Sequence, residues 1–257
     1  METIKFDLTS PMAIIRKPDS NETYYTYNFP HKIMLLGILG SIIGLNGYNY
    51  QLLQKNLGKK AGGNPEFYEE LKELKIGIVP NIGRENFSRK IQVFNNSVGY
   101  ASNEIGNNLI VKEQWLEHPC WTIYLLENES ENYNKIREYL LNQKCEYIPY
   151  IGKNDHFADI KNVVVEKIEK LTEEISQIDS LYEENIAEVK ENLWEEILGF
   201  EKPENKRYFL YRELLPISLN EKIGYDQYKE FIYTNQELEV NNSTNIYRVA
   251  GKNIYYF

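Results

Sequence analysis

Histidines, cysteines and carboxylates are the residues that could do chemistry in this sequence, and they are sparse or scattered. The three histidines are His31, His118 and His156. Histidine is the side chain best suited to general acid–base catalysis near neutral pH, which needs a base and an acid close to the reacting atoms. The two cysteines, Cys120 and Cys145, are too few for a disulfide framework and lack metal-ligand spacing. The sequence has no paired-carboxylate, phosphate-loop or metal-ligand motif, so we expect no cofactor.

Basic side chains in predicted loops are a second class of candidates, because they can hold phosphate groups. Arg16 and Lys17 directly follow the first predicted strand. His31 and Lys32 lie where a helix is expected to begin, and a helix N-terminus offers free backbone N–H groups to anions. The stretch 152–156 resembles a small anion-binding turn. A solvated surface loop is the alternative interpretation of each of these segments.

Tyrosine is unusually frequent, with 21 residues in 257. Its ring has an apolar body and a polar tip, which suits stacking against a planar partner. Tyr24, Tyr25 and Tyr27 could stack unpaired bases, each contributing about 1–3 kcal/mol. The alternatives are that these rings anchor the loop, or that an AT-rich genome accounts for the abundance of tyrosine.

The charge of the chain is distributed unevenly. The net charge of −9 argues by itself against a nucleic-acid-binding protein. However, the segment from Glu166 to Glu204 holds 13 acidic residues and four lysines, and the remainder has 25 residues of each sign. A neutral body can still carry a basic groove, since phosphate contacts depend on local charge. We interpret the acidic segment as a solvated face, or alternatively as a surface for a basic protein.

Apolar patterning predicts neither a secretion signal nor a membrane span. The first residues lack a basic region followed by an apolar one. The longest apolar run, residues 33–45, is interrupted by glycines and falls short of the roughly 20 residues that a bilayer needs. We therefore expect a cytoplasmic protein with no membrane contact.

Hydrophobic periodicity predicts a strand–helix–strand–strand–helix–strand order for residues 1–160. The predicted strands lie at residues 4–9, 75–79, 121–126 and 147–151, and the two long helices at residues 30–44 and 128–143. Residues 80–112 have turn signals around a strand-forming KIQVF core, which predicts a projecting β-hairpin. Three glycines in the first helix indicate that another backbone or a ligand comes close to it.

The predicted fold class is α+β, namely a ferredoxin-like domain of the kind found in RNA-recognition modules, at residues 1–160. Residues 161–257 form a C-terminal extension whose acidic segment has both helical and strand spacing. Its last part, with KEFIYTN, NIYRVAG and KNIYYF, favours short strands.

Five stretches and the chain's ending resemble family five of the CRISPR-associated (Cas) proteins, a branch of the RAMP superfamily, and are closest to its type I-B members. No single stretch is a catalytic signature, so the resemblance depends on their order and spacing. The stretches are FDLTSPMAIIRKP (6–18), YNFPHKIMLLGILGSIIG (27–44), VKEQWLEHPCWTIYL (111–125), YIGKNDHFADI (150–160), FLYRELLPISLN (209–220) and the final KNIYYF.

The resemblance implies a structural role in type I Cascade, the CRISPR surveillance complex of antiviral defence. In that role the subunit holds the 5′ handle of the crRNA. Its hairpin, the thumb, packs against the backbone subunit, and it also docks the large subunit. Target DNA is contacted only indirectly, since the guide reads it by base pairing. The expected RNA-contacting residues are Arg16, Lys17, Tyr27, His31, Lys32, Arg84, Arg89, Lys90, Lys153, Asn154 and His156.

Two other functions remain open at this stage. Some members of the family in type I-C systems cleave repeat RNA without a metal, using Tyr, Lys and His. The resemblance to type I-B members, whose complexes usually carry a separate endonuclease, predicts no enzymatic activity here. The other alternative is a tyrosine-rich protein-interaction domain without an RNA role.

Overall fold

The computed structural model describes residues 1–58, 63–82, 87–95, 103, 109–190, 208–220, 222 and 224–257. It is a sheet-rich mixed α+β structure with few helices, as the sequence predicts at that level. The helices are α1 (Lys32–Ile43), α2 (Tyr48–Asn56), α3 (Glu66–Leu71) and α4 (Glu131–Leu141). The strands are β1 (Glu2–Thr9), β2 (Met12–Ala13), β3 (Thr23–Tyr24), β4 (Ile76–Pro80), β5 (Ser88–Asn95), β6 (Ile110–Glu117), β7 (Cys120–Leu126), β8 (Asp159–Lys170), β9 (Tyr182–Glu183), β10 (Ala187–Val189), β11 (Leu210–Pro216), β12 (Tyr228–Thr234), β13 (Leu238–Val240), β14 (Ile246–Val249) and β15 (Lys252–Tyr255).

The central sheet has six antiparallel strands in the order β15-β14-β8-β1-β7-β4. Alternation along β1 buries Ile4, Phe6 and Leu8 on one face, as their spacing predicts. Helices α1 and α4 contribute to the same hydrophobic core, for example through Leu36 and Ile136. The chain runs from β1 through α1 to β4, and from β7 through α4 to β8.

Helix α1 begins one residue after His31, whose side chain caps it, and ends at Gly44 in the left-handed conformation. Glycine inside the helix has a packing reason. A Cβ atom at Gly40 would lie 2.6 Å from the Cβ atom of Phe67 in α3. The close approach that the glycines predict is therefore made by α3, a neighbouring helix of this chain.

The predicted hairpin is present in its described part as β5 paired antiparallel with β6, in register from Ser88↔Glu117 to Asn95↔Ile110. The other edge of β6 pairs with the short strands β2 and β3. Strand β6 leads into β7 through His118 and Pro119, so the hairpin is continuous with the central sheet.

The C-terminal residues bring the two edges of the central sheet together. Ile76 of β4 and Phe257 exchange two backbone hydrogen bonds of 3.1 Å each. The face of the sheet opposite the helices is covered by Ile254 and Tyr256, and the Tyr256 hydroxyl donates to Thr3 Oγ1 at 3.0 Å. This face is therefore buried around Tyr256, whereas Lys161 and Val164 of β8 remain exposed on it.

The predicted strand at residues 147–151 is wrong. Only Tyr150 forms a bridge there, to Phe157. The Tyr147 N–H donates to the carbonyl of Ser41 beside α1, and Pro149 has no N–H to donate to a ladder. The strand beside β1 is β8 instead, which settles the helix-or-strand ambiguity of residues 163–170 in favour of a strand.

Three further findings concern the organisation of the chain. The predicted domain boundary at residue 160 falls inside β8. Helix α2, which the sequence analysis missed, has no buried residue and therefore leaves no strong apolar pattern. In the described ranges, no single helix could cross a membrane by length and composition, and α1 with α2 passes only as a pair bent by 80°.

Candidate nucleic-acid interface

Arg16 lies on the segment between β2 and β3 and is exposed. Its guanidinium carbon is 3.6 Å from the centre of the Tyr24 ring, a cation–π contact that orients the side chain. Its side-chain hydrogen bond is accepted by the amide oxygen of Asn21 at 3.4 Å. Because no described carboxylate pairs with it, the charge of Arg16 is available to an outside ligand.

Lys17 is held by a buried carboxylate. Its ammonium nitrogen is 3.1 Å from Glu213 Oε1, and the Glu213 side chain is only 4% exposed. The backbone N–H groups of Asn28 and Phe29 donate to Glu213 Oε2 at 2.9 and 3.2 Å. Burial raises the pKa of Glu213, opposed by Lys17 and by these two N–H groups. Lys17 is thus the counter-ion of an internal carboxylate.

Tyr27 does not offer a face for base stacking. It is 3% exposed, its ring packs edge-on against His31, and the Lys17 ammonium lies 4.9 Å from its centre. Burial raises the pKa of its hydroxyl. Its burial argues against the predicted direct RNA contact, and its place in the core explains the aromatic residue better.

His31 is also internal. Its Nδ1 accepts from the N–H of Met34 at 3.2 Å, so Nε2 carries the proton and donates to the Tyr225 hydroxyl at 3.2 Å. Burial lowers its pKa to about 3, which keeps the ring neutral at physiological pH. The predicted phosphate contact by His31 therefore does not fit this structure, in which the ring caps α1.

Lys32 points to the C-terminal residues. Its ammonium donates to the carbonyl oxygen of Phe257 at 3.4 Å, and burial lowers its pKa to about 8. Like His31, it stands at the beginning of α1, but its charge faces the protein interior.

The loop 152–157 forms a separate cluster at the hairpin. Lys153 lies 3.0 Å from Glu113 Oε2 and over the rings of Phe94 and Trp115, while Asn154 is exposed in the turn. Glu113 also accepts from the Trp115 indole N–H at 2.8 Å. The charge of Lys153 is therefore already paired, which does not favour the predicted anion-binding turn.

His156 is buried in the same loop. Its ring packs edge-on against Trp115 with centroids 4.6 Å apart, and its two ring nitrogens have no hydrogen-bond partner among the described residues. Burial lowers its pKa. Gly152 has φ +85°, and a Cβ atom there would lie 1.6 Å from the carbonyl oxygen of Ile14. Tight packing against Ile14 explains the glycine.

Arg89 and Lys90 are both exposed on β5 but point to opposite faces of the hairpin, as neighbours in a strand must. Arg89 donates to the side-chain oxygen of Asn28, which places its guanidinium beside the segment that carries Arg16. Lys90 is opposite Trp115 and shares a face with Glu113. Arg84 lies outside the described residues.

The structure thus divides the predicted contact residues between two sites. Arg16 and Arg89 both contact the segment 24–28, where Lys17 and Tyr27 support the loop from inside. Lys90, Lys153 and His156 lie on the other face of the hairpin. Sequence reasoning missed Glu213 and Glu113, the carboxylates that neutralise Lys17 and Lys153. Each is a charged residue at a buried strand position, which an apolar pattern alone does not reveal.

Other sites of chemistry are lacking in the part of the chain that the structure describes. No group of three or more metal-ligating side chains is found among those residues. On the sheet face that RNA-recognition modules use for stacking bases, Tyr124 and Tyr256 are buried.

Several solved structures are similar to this chain. One is a chain of a CRISPR RNA-guided surveillance complex, with 12% identity, a TM-score of 0.47, and coverage of 92% of this chain and 91% of that chain. A second is a CRISPR protein from Archaeoglobus fulgidus, with 12% identity, a TM-score of 0.48, and coverage of 99% and 98%. A third comes from the type III-B Cmr-beta complex bound to cognate target RNA, with 10% identity, a TM-score of 0.40, and coverage of 99% and 86%.

At this level of similarity the three structures do not assign a function to the chain. No protein-family model matches the sequence. No curated protein matches it either.

Proposed function

We propose that this chain is an RNA-binding structural subunit of a type I CRISPR surveillance complex that holds the 5′ handle of the crRNA in antiviral defence. The observation that carries the proposal is that two exposed guanidinium groups contact one short segment, 24–28, Arg16 at Tyr24 and Arg89 at Asn28. Arg16 and Arg89 are 73 residues apart in the sequence, and neither pairs with a carboxylate among the residues that the structure describes. The family resemblance of the sequence supplies the identity of the RNA.

The strand topology supports this reading. Among β1, β4, β7 and β8 the spatial order is β8-β1-β7-β4, with α1 and α4 in the two connections. We interpret this order as that of a split βαβ, ferredoxin-like domain. RNA-recognition modules use the same topology but bind bases on the open sheet face. Because the rings of Tyr124 and Tyr256 on that face are buried here, we place the RNA along the loop 16–28 and the base of the hairpin.

The geometry divides the predicted contact residues by role. Direct phosphate contacts need exposed charge, which Arg16, Arg89 and Lys90 provide. Asn154 is exposed and can donate hydrogen bonds, and Arg84 keeps its predicted role on the hairpin. The remaining residues support the loops from within, namely Lys17, Tyr27, His31, Lys32, Lys153 and His156.

The hairpin also offers a surface for a protein partner. Ile91 and Val93 of β5 and Ile110 of β6 share one face, and each is more than half exposed. Apolar residues grouped at the surface are typical of protein contacts. Arg89 lies on the same face at the base of the hairpin, so we assign to the backbone subunit only the part at Ile91, Val93 and Ile110. We propose the large subunit as a further partner and the cytoplasm as the location.

We do not propose RNA cleavage by this chain. Metal-free cleavage needs a base and an acid at the reacting phosphate. His31 and His156 are buried, and His118 alone among the three histidines is exposed. A purified chain incubated with repeat RNA in EDTA is expected to leave the RNA intact, and cleavage at equimolar protein would contradict this assignment.

RNA binding by charge-neutral variants tests the proposal. The probe is a fluorescent synthetic RNA with the repeat-derived 5′ handle from the source genome, and binding is measured by anisotropy over a salt series. Arg16→Gln and Arg89→Gln are each expected to weaken binding about tenfold and to lower the salt slope by about 1, as for one lost phosphate contact.

Lys55→Gln is the matched control, because Lys55 is an exposed cation on α2, away from the loop 16–28. It is expected to leave the affinity and the salt slope unchanged. Equal losses in all three variants would show that binding follows overall charge and not this site, and would contradict the proposal.

A further inference from the structure

Glu213 joins three separate parts of the chain at the candidate interface. It belongs to β11 in the C-terminal region. Its Oε1 lies 3.1 Å from the ammonium of Lys17, and its Oε2 accepts the backbone N–H groups of Asn28 and Phe29. The amide nitrogen of the Asn28 side chain also donates to Oε1, at 3.4 Å. One carboxylate therefore receives four donors from the segment 17–29.

The orientation of the Asn28 amide follows from this contact. The side-chain nitrogen Nδ2 of Asn28 donates to Glu213, so its oxygen Oδ1 points away from Glu213. There Oδ1 accepts a hydrogen bond from Arg89 of β5. The Asn28 carbonyl is fixed as well, since it accepts from the Trp121 indole N–H at 3.1 Å. The position of the Arg89 guanidinium is thus set through Asn28 by a residue 124 positions further along the chain.

We infer that Glu213 is a positioning residue for RNA binding: through Asn28 it sets the place of Arg89, and it fixes the loop on which Arg16 lies. This inference rests on the proposed function. Glu213 does not touch the RNA itself, because it is buried beneath the loop. It also pairs with Lys17, so Arg16 and Arg89 are the cations of this region that remain for the RNA.

The alternative, a purely structural role of Glu213 in holding β11 to the loop, makes a different prediction for paired substitutions. A residue that acts through Arg89 loses its effect once Arg89 is removed, whereas independent effects add. The two roles are therefore distinguished by measuring the same substitution with and without Arg89.

The experiment measures handle-RNA affinity by anisotropy for Glu213→Gln and Asn28→Ala, each alone and combined with Arg89→Gln. Asn28→Ala leaves the main-chain bonds to Glu213 in place, so it provides the test if Glu213→Gln fails to fold. Each single change is expected to raise the Kd about tenfold, the size of one lost charge-assisted hydrogen bond. In the Arg89→Gln background Asn28→Ala is expected to change the Kd less than about twofold, whereas Glu213→Gln is expected to keep only the part of its effect that acts through the loop of Arg16.

The experiment distinguishes failure of this inference from failure of the proposed function. Binding by the unmodified chain with fully additive losses overturns the inference and leaves the proposed function standing. No binding by the unmodified chain overturns the proposed function and the inference with it. Hydrogen–deuterium exchange without RNA is a second measurement. Glu213→Gln is expected to raise the rate of backbone amide exchange at residues 88–95 as well as at residues 26–30. Unchanged exchange at 88–95 overturns the coupling to Arg89.

Discussion

Two buried carboxylates form ion pairs with basic side chains that were predicted to bind RNA, and those side chains are then not available to an outside ligand. Glu213 pairs with Lys17 and Glu113 pairs with Lys153. Either buried carboxylate without its lysine would be strongly unfavourable. Each lysine is therefore needed as the partner of its carboxylate, whatever the chain binds. The exposed guanidinium groups of Arg16 and Arg89 are not committed in this way, and the function we propose depends on them.

His31 gives the stability of the protein a specific pH dependence. Its pKa is about 3 in the folded chain, below its ordinary value of 6.5, because burial disfavours the charged ring. The unfolded chain therefore takes up a proton below pH 6.5 that the folded chain does not. The stabilisation that His31 gives is fully present above pH 6.5 and is lost progressively as the pH falls toward 3.

Replacing His31 by Asn is expected to remove this dependence, since Asn can still cap α1. Between pH 6.5 and 4, the free energy of unfolding of the unmodified chain should fall more steeply than that of His31→Asn, by about 1.4 kcal/mol per pH unit. Urea unfolding at several pH values measures both slopes. His118→Asn, at an exposed position, is the control, and parallel curves for all three proteins would contradict the buried neutral ring.

Residue types alone could not separate these roles. His31 and Lys32 stand where a helix start and an anion site have the same sequence pattern, and only their contacts with Tyr225 and Phe257 show that both face inward. The partner of Lys17 is 196 positions away, beyond any local pattern. The sequence predicted Arg16 and Arg89 as contacts individually, but not that both would contact the segment 24–28.

At the scale of secondary-structure elements, strong hydrophobic periodicity predicted helices and strands correctly. The alternation of β1, the aliphatic run of β7 and the amphipathic spacing of α4 predict elements that the structure contains at nearly the same bounds. The segment 147–151 failed because its alternation reflects a loop packed on α1 and not a ladder. Helix α2 was missed because no apolar face marks it.

The loop after residue 151 depends on a single glycine. Gly152→Ala is expected to destabilise the chain by more than about 3 kcal/mol or to prevent folding, because a Cβ atom would overlap the carbonyl oxygen of Ile14. Gly251→Ala is the matched control, since Gly251 has a similar φ of +82° and open space around it. Its expected loss is about 1 kcal/mol, from backbone strain alone. Equal losses in urea unfolding would contradict the close approach of Gly152 to Ile14.

For the molecule as a whole, the C-terminal region has two effects on where RNA can bind. Residues 254–257 join the two edges of the central sheet and bury part of the face opposite the helices. Strand β11 from the same region holds the loop 16–28 through Glu213. The fold class indicated RNA binding on a sheet, whereas the function we propose uses the loop 16–28 and the hairpin.

Closure of the sheet is testable through Tyr256. Tyr256→Phe removes the buried hydroxyl that donates to Thr3 and is expected to lower the free energy of unfolding by about 1–2 kcal/mol. Tyr50→Phe, at an exposed position of α2, is expected to change it by less than about 0.5 kcal/mol. Equal effects of the two substitutions in urea unfolding would show that Tyr256 is not buried against Thr3.

The central claim is that the loop 16–28 and the base of the hairpin hold the crRNA handle within a complex. Its most direct test is co-expression of the chain with the backbone subunit, the large subunit and a guide RNA carrying 4-thiouridine in the handle, followed by crosslinking and mass spectrometry of the purified complex. We predict one co-purifying complex with crosslinks in peptides that contain residues 16–28 and 88–95. Absence of the chain from the complex, or handle crosslinks found only in other subunits, would contradict the account.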